Sequence, residues 1–158
     1  MQSFSDWLYA TALSTTLRET SWVVPGLQSI HILALAFLVG SALVTDLRLA
    51  GVLATDVDQG SVIKAYFSRI FNALLVLLLS GSLLVLIEPG RTLGNTLFWT
   101  KMGLILTAVA LTWLLKRPLI ASEGDAARPV PPYIKLVGWL SLLIWIAAIF
   151  CGRWIAYT

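Results

Sequence analysis

The sequence predicts an all-α protein: an integral membrane four-helix bundle with a short N-terminal amphipathic segment. Of its 158 residues, 58% are hydrophobic and only 12% are charged, whereas soluble domains carry about 25% charged residues. The hydrophobic residues are also gathered into long blocks. Asp, Glu, Lys and Arg are absent from residues 20–45, 70–87, 102–115 and 136–152.

Blocks of this length favour transmembrane helices, because about 18 consecutive apolar residues can cross a bilayer as a helix. The third block is long enough only if Lys101 belongs to its helix, and a lysine near a helix end can extend its ammonium to the interface. Lipid offers no hydrogen-bond partner, so each backbone amide must pair within its own segment. The blocks are continuous rather than alternating, which argues against barrel strands.

The chain therefore divides into an interfacial segment, residues 1–20, and a four-helix domain, residues 21–158. We expect spanning helices over about residues 23–49, 66–87, 97–116 and 133–157. The second helix should stop at Glu88-Pro89-Gly90, and the third before Pro118, because proline and glycine end helices.

The basic residues predict the orientation, because cytoplasmic loops carry an excess of Lys and Arg. The first and third loops share one side, which holds Arg48, Lys64, Arg69, Lys116, Arg117, Arg128 and Lys135. The other side holds Arg18, Arg91, Lys101 and Arg153. We therefore expect the first and third loops in the cytoplasm and both termini outside. The basic residues are spread rather than clustered on one face, so a nucleic-acid partner is not expected.

His31 is the only histidine of the chain, and it lies roughly 13 Å into the first helix at 1.5 Å per residue. Ionisable residues at that depth are costly and usually face protein. His31 is therefore a candidate haem or metal ligand, a proton-carrying group at a quinone, or a histidine that hydrogen-bonds a neighbouring helix. Lys101 and Met102 are candidate cofactor-binding partners, since a methionine sulfur can be the second ligand of a haem.

Two sets of polar residues are expected at the two ends of the bundle. The outer set could form one cluster, in which Glu88 neutralises Lys101 or Arg153, or it could be ordinary charge in the headgroup layer. It comprises Gln28, His31, Glu88, Arg91, Asn95, Lys101 and Arg153. In the inner set, Asp46 is expected to pair with Arg69 or Lys116 and so to pin the first helix. It comprises Asp46, Arg48, Arg69, Asn72, Lys116 and Arg117.

A complete catalytic set is not evident. The chain has no glycine-rich phosphate loop and only one cysteine. A serine or cysteine nucleophile needs a base, and only His31 could serve. We therefore expect a non-catalytic membrane subunit or accessory protein, in contact with lipid and with other membrane subunits, and no required cofactor. The alternatives are a haem b or quinone-linked redox protein that uses His31, and a small-solute carrier.

Polar residues at fixed places within the apolar helices carry a resemblance. The stretches are Gln28-Ser29-Ile30-His31-Ile32-Leu33, Asp46-Leu47-Arg48-Leu49, Phe98-Trp99-Thr100-Lys101-Met102 and Gly152-Arg153-Trp154-Ile155-Ala156-Tyr157. They resemble an uncharacterised family of small four-helix proteins of the bacterial inner membrane. That resemblance implies a multi-pass fold and a compartment, but no activity.

A second resemblance is to the membrane-bound, haem-binding protoporphyrinogen oxidase family. It rests on His31, Gly40 and Arg48 in the first helix, and on Lys101 at the opening of a later one. The resemblance implies that His31 is a haem ligand and Lys101 a site residue. Members often have a second histidine toward the far end of the third helix, where this chain reads Thr112-Trp113-Leu114-Leu115-Lys116. A haem held by two histidines of one chain is therefore excluded.

Overall fold

A computed structural model describes residues 2–116, 131–155 and 157, and within them the chain is helical, with no strand. Seven α-helices lie within these described residues, and the sixth continues into a π-helical turn, Thr112–Lys116. The α-helices are α1 (Gln2–Tyr9), α2 (Ala12–Glu19), α3 (Val23–Leu49), α4 (Gln59–Ile87), α5 (Pro89–Leu93), α6 (Thr96–Leu111) and α7 (Pro132–Trp154).

Four of these helices are long and apolar enough to cross a membrane: α3, α4, α6 with the first part of its π turn, and α7. Their surfaces turned away from the bundle carry many large exposed apolar side chains, as is expected of helices surrounded by lipid. The predicted fold class is confirmed, and the chain is a multi-pass α-helical membrane protein.

The helix bounds differ from the predicted ones where local capping decides them. The first spanning helix has the predicted bounds, whereas α4 begins at Gln59 rather than at residue 66. Asp58 explains the difference, because its carboxylate accepts a hydrogen bond of 2.9 Å from the backbone N–H of Ser61 and so caps the helix. The helix ends at Ile87 as predicted, and Pro89 then begins α5. The predicted stop at Pro118 lies outside the described residues.

Residues 2–19 form the two short helices α1 and α2, and α2 docks on the end of α4. Thr11 caps α2 through a hydrogen bond of 3.3 Å from the backbone N–H of Ser14. Ser14 is fully buried, and its hydroxyl donates a 2.7 Å hydrogen bond to the carbonyl of Leu86. The interfacial position of this segment stays a prediction, because the depth of the segment in a bilayer depends on its contacts with lipid.

The bundle has an open arrangement, in which α3 packs along α4 and α7, and α7 also packs along α6. The core between them is formed by Leu38, Ala42, Ile70, Ala73, Ala108 and Trp145. Between α4 and the π turn that follows α6, the rings of Phe67 and Trp113 lie with their centroids 6.3 Å apart. We call the end at which α3 begins and α4 ends the N-terminal end.

The inner polar set is arranged differently from the prediction. Asp46 and Arg48 are buried, with 0% and 3% exposure. Arg48 uses Nε, at 2.8 Å, and Nη2 to donate to the carbonyl of Val57 in the loop before α4. Arg69 does not pair with Asp46 as proposed, because it points outward and its guanidinium lies 4.8 Å from the ring centre of Tyr66.

Of the remaining inner positions, Asn72 is exposed. The Lys116 side chain and Arg117 lie outside the described residues, so the pairing of Asp46 with Lys116 stays a prediction.

Candidate functional site

His31 reaches from α3 to α4 and is held there by a serine. The distance between His31 Nδ1 and Ser80 Oγ is 2.8 Å. Ser80 has one hydroxyl proton, and it donates that proton to the carbonyl of Val76 at 2.7 Å. While Ser80 donates to Val76, Nδ1 is the donor of the His31–Ser80 hydrogen bond, and in the neutral imidazole Nε2 then has the lone pair.

A glycine makes room for the imidazole. A Cβ atom added to Gly81 would lie 3.3 Å from His31 Cε1, so the ring lies directly against the bare backbone of α4. The small residues Ser80, Gly81 and Ser82 suggest a close helix contact or a kink when read from the sequence alone. In the structure, Ser80 and Gly81 contact the side chain of His31.

Lys101 approaches the same level of the bundle from α6 and lies across another glycine. A Cβ atom added to Gly152 would lie 3.1 Å from Lys101 Nζ and 3.3 Å from its Cε, so the end of the side chain runs over α7. The Lys101 ammonium is close enough to interact electrostatically with both His31 and Cys151. We call His31, Ser80, Gly81, Lys101 and Gly152 the His31–Lys101 site; its members come from all four spanning helices.

The charge of Lys101 has no acceptor in the part of the chain that the structure describes, where Nζ makes no hydrogen bond or ion pair. Lys101 lies about 7 Å along α6 from Thr96 at 1.5 Å per residue. The predicted partner, Glu88, instead pairs with Arg91 at 3.3 Å. That pair is three residues apart on one helical turn, so it forms without any help from α6.

The other members of the predicted outer cluster are dispersed. Gln28 is exposed on α3. Asn95 caps α6, because its side chain accepts a 2.9 Å hydrogen bond from the backbone N–H of Leu97. Arg153 is exposed, and it donates to the hydroxyl of Tyr157 at 2.6 Å. Of the seven positions, the structure brings together two pairs, Glu88 with Arg91 and His31 with Lys101.

At these positions the structure places one candidate axial ligand for a haem, His31. The free Nε2 of His31 suits an axial ligand, but the groups described around the ring are Ser80, Gly81 and Lys101, and none is a second ligand. Met102 follows Lys101, so its side chain points about 100° away around the helix. No group of three or more His, Cys, Asp or Glu side chains within the described ranges is suited to hold a metal ion.

A second polar feature was missed by sequence reasoning. Trp145, in the middle of α7, is only 4% exposed, and its Nε1–H has no hydrogen-bond partner among the residues described. A cavity of about 10 Å³, the room of one water molecule, lies beside it and is lined by Phe67, Ile70, Phe71, Leu74, Val109, Thr112, Trp113 and Trp145. The available signal was a tryptophan far from both interfacial belts.

Ser80→Ala should destabilise the protein by about 1–3 kcal/mol, because it leaves the Nδ1–H of His31 without an acceptor inside the bundle. Ser82→Ala is the matched control, since Ser82 is exposed and its hydroxyl makes the same bond back to its own helix, to Leu78 at 2.7 Å. We expect its effect to stay within about 0.5 kcal/mol. Reversible unfolding in mixed detergent micelles measures both, and equal losses would contradict the role of Ser80.

Comparison with known proteins gives the chain a family. The family model that matches is described as a family of unknown function (DUF6644). The match covers residues 14–158, which include every member of the His31–Lys101 site. No curated protein and no solved structure matches the chain. The resemblance to the haem-binding oxidase family thus gains no support. The protein belongs to the family of unknown function DUF6644.

Proposed function

We propose that the protein is a non-catalytic subunit or accessory protein of a larger membrane complex, and that its partner binds on the side of the bundle where Lys101 lies. The observation that carries the proposal is the Lys101 ammonium, which lies within a spanning helix and has no acceptor in the described chain. A lysine at the centre of a spanning helix costs about 2.5–3.5 kcal/mol on insertion scales, and extension toward the interface reduces that cost.

The described carboxylates lie elsewhere. Asp6, Glu19 and Glu88 belong to the surface of the N-terminal end, and Asp46, Asp56 and Asp58 to the opposite end and its loop. A transmembrane helix that brings an Asp or Glu side chain to Lys101 would neutralise the ammonium inside the membrane.

The test uses charge exchange between the two partners. Lys101→Glu should abolish the association that native mass spectrometry detects after gentle extraction. Exchange of the partner's membrane-embedded acidic residue for lysine should restore it. Lys135→Glu, at an exposed position of α7 near the opposite end, is the matched control and should retain the partner. A wild-type protein that always emerges as a lone monomer, or a Lys101→Glu variant that keeps its partner, overturns the proposal.

Two other measurements distinguish the remaining function classes. A strong haem absorption band that disappears in His31→Ala would replace the subunit proposal with a redox function. Solute uptake into liposomes that contain only this protein would replace it with a carrier.

We further propose that the protein lies in the bacterial inner membrane with both termini in the periplasm. The excess of basic residues in the first and third loops supports this orientation. In a Cys151→Ala background, Ser3→Cys should react with a membrane-impermeant maleimide in spheroplasts, and Thr55→Cys only after the membrane is opened. The reverse pattern would invert the orientation.

A further inference from the structure

A charged groove lies at the N-terminal end of the bundle, separate from the His31–Lys101 site. Its volume is about 490 Å³. It is lined by Ser5, Asp6, Tyr9, Arg18, Glu88, Gly90 and Arg91, from α1, α2 and the α4–α5 corner. We call it the N-terminal groove.

The groove is built by contacts within the chain. The hydroxyl of the buried Ser14 ties α2 to the end of α4 through the carbonyl of Leu86. Arg18 Nη1 donates to Ser14 Oγ at 3.3 Å, and the guanidinium lies 3.7 Å from the centre of the Tyr9 ring. Arg18 is therefore fixed from two sides, and a guanidinium has five N–H donors, so it retains donors for a ligand.

The charges of the groove balance, with two arginines and two carboxylates. Glu88 and Arg91 neutralise each other at 3.3 Å. Asp6 and Arg18 also line the groove but make no ion pair with each other. The groove thus holds a carboxylate and a guanidinium that a ligand with one positive and one negative group could bridge.

The exposed aromatic residues of α1 support a position of the groove at the membrane interface. Phe4 and Trp7 stack on each other with ring centroids 5.9 Å apart, and their exposures are 56% and 63%. Exposed aromatic side chains at a helix end are typical of the headgroup layer. Asp6 and Tyr9, on the same short helix, line the groove.

We infer that the N-terminal groove binds the headgroup of a zwitterionic phospholipid, with the phosphate at Arg18 and the ammonium at Asp6. A planar guanidinium binds phosphate oxygens through paired N–H donors, and a carboxylate accepts from an ammonium. The balance of charge favours a zwitterionic headgroup over an anionic one, because an anionic lipid would leave Asp6 beside uncompensated negative charge.

The test measures lipid binding to the purified full chain in detergent by native mass spectrometry. We expect phosphatidylethanolamine to bind at least about fivefold more tightly than phosphatidylglycerol. Arg18→Gln and Asp6→Asn should each weaken phosphatidylethanolamine binding by about tenfold, as loss of one charge-assisted contact does. Arg153→Gln is the matched control, since Arg153 also stacks over a tyrosine, Tyr157, at 5.0 Å, and it should bind as the wild type does.

The remaining outcomes each decide the inference. Soluble glycerophosphoethanolamine has the same headgroup without acyl chains. If it competes with the lipid at similar concentrations, the ligand is not a lipid and the inference is overturned. Tighter binding of phosphatidylglycerol, or wild-type binding by both groove variants, would also overturn the inference. If Arg18→Gln does not fold, Asp6→Asn decides, because Asp6 makes no ion pair within the described chain.

Discussion

Gly138→Ala is expected to destabilise the protein by about 3 kcal/mol, as overpacking of a tight helix contact does. Gly138 lies at a close contact of α7 with α3. An added Cβ atom would lie 2.7 Å from the carbonyl oxygen of Asp46, 3.1 Å from the backbone nitrogen of Ala50 and 3.2 Å from Leu49 Cβ. The first two atoms belong to the helix backbone, so relief requires the two helices to move apart.

The matched control is Gly40→Ala, also within a spanning helix, where an added Cβ atom would meet nothing within 4 Å. Alanine is the better helix former, so this variant should be neutral or more stable by about 0.5–1 kcal/mol. Reversible unfolding in mixed micelles, followed by tryptophan fluorescence, measures both. Equal stability of the two variants would contradict the close contact of α3 and α7.

Arg48→Ala should lower the free energy of unfolding by about 3 kcal/mol, because it removes a buried, charged hydrogen-bond donor from the carbonyl of Val57. Arg48 holds the α3–α4 loop through two nitrogens on the carbonyl of Val57. Hydrogen bonds to charged groups contribute about 1.5–3 kcal/mol, and loss of the buried side-chain stem adds to that. The loop that precedes the cap at Asp58 should loosen first, which faster hydrogen exchange at residues 51–58 would reveal.

Arg69→Ala controls for the loss of one positive charge at the same end of the bundle. Its side chain is exposed and stacks on Tyr66, an arrangement worth about 0.5–1 kcal/mol at an exposed site. Arg48→Lys should fall between the two, since lysine keeps the charge but cannot present two nitrogens in one plane. A loss for Arg69→Ala as large as that for Arg48→Ala would refute the special role of Arg48.

The spanning helices could be predicted because the bilayer imposes a length and an apolar composition on each of them. The start of α4 could not, since the residues between Gln59 and Tyr66 are too polar to count as a membrane span and are helical because of the Asp58 cap. The docking of α2 was also beyond prediction. It depends on Ser14 and Leu86, which are 72 residues apart, and no local sequence pattern indicates that contact.

For the candidate site, depth was predictable and pairing was not. His31 and Lys101 lie at one level of the bundle because of their distances from the starts of α3 and α6. Both distances can be counted in the sequence. Which side chains meet depends on the rotation of each helix, and a shift of one residue turns a side chain by about 100°. Rotation turns Arg153 toward Tyr157, and the local turn of α5 pairs Glu88 with Arg91.

The incomplete closure of the bundle affects how molecules dissolved in the bilayer can enter it. A closed ring of four helices has four seams, and in the described chain three are closed by extensive backbone proximity: α3 with α4, α3 with α7, and α6 with α7. The fourth, between α4 and α6, is closed mainly by side chains such as Phe67 and Trp113. Because the same two rings line the cavity beside the indole N–H of Trp145, a hydrophobic molecule in the lipid phase is separated from that cavity by side chains rather than by helix backbone.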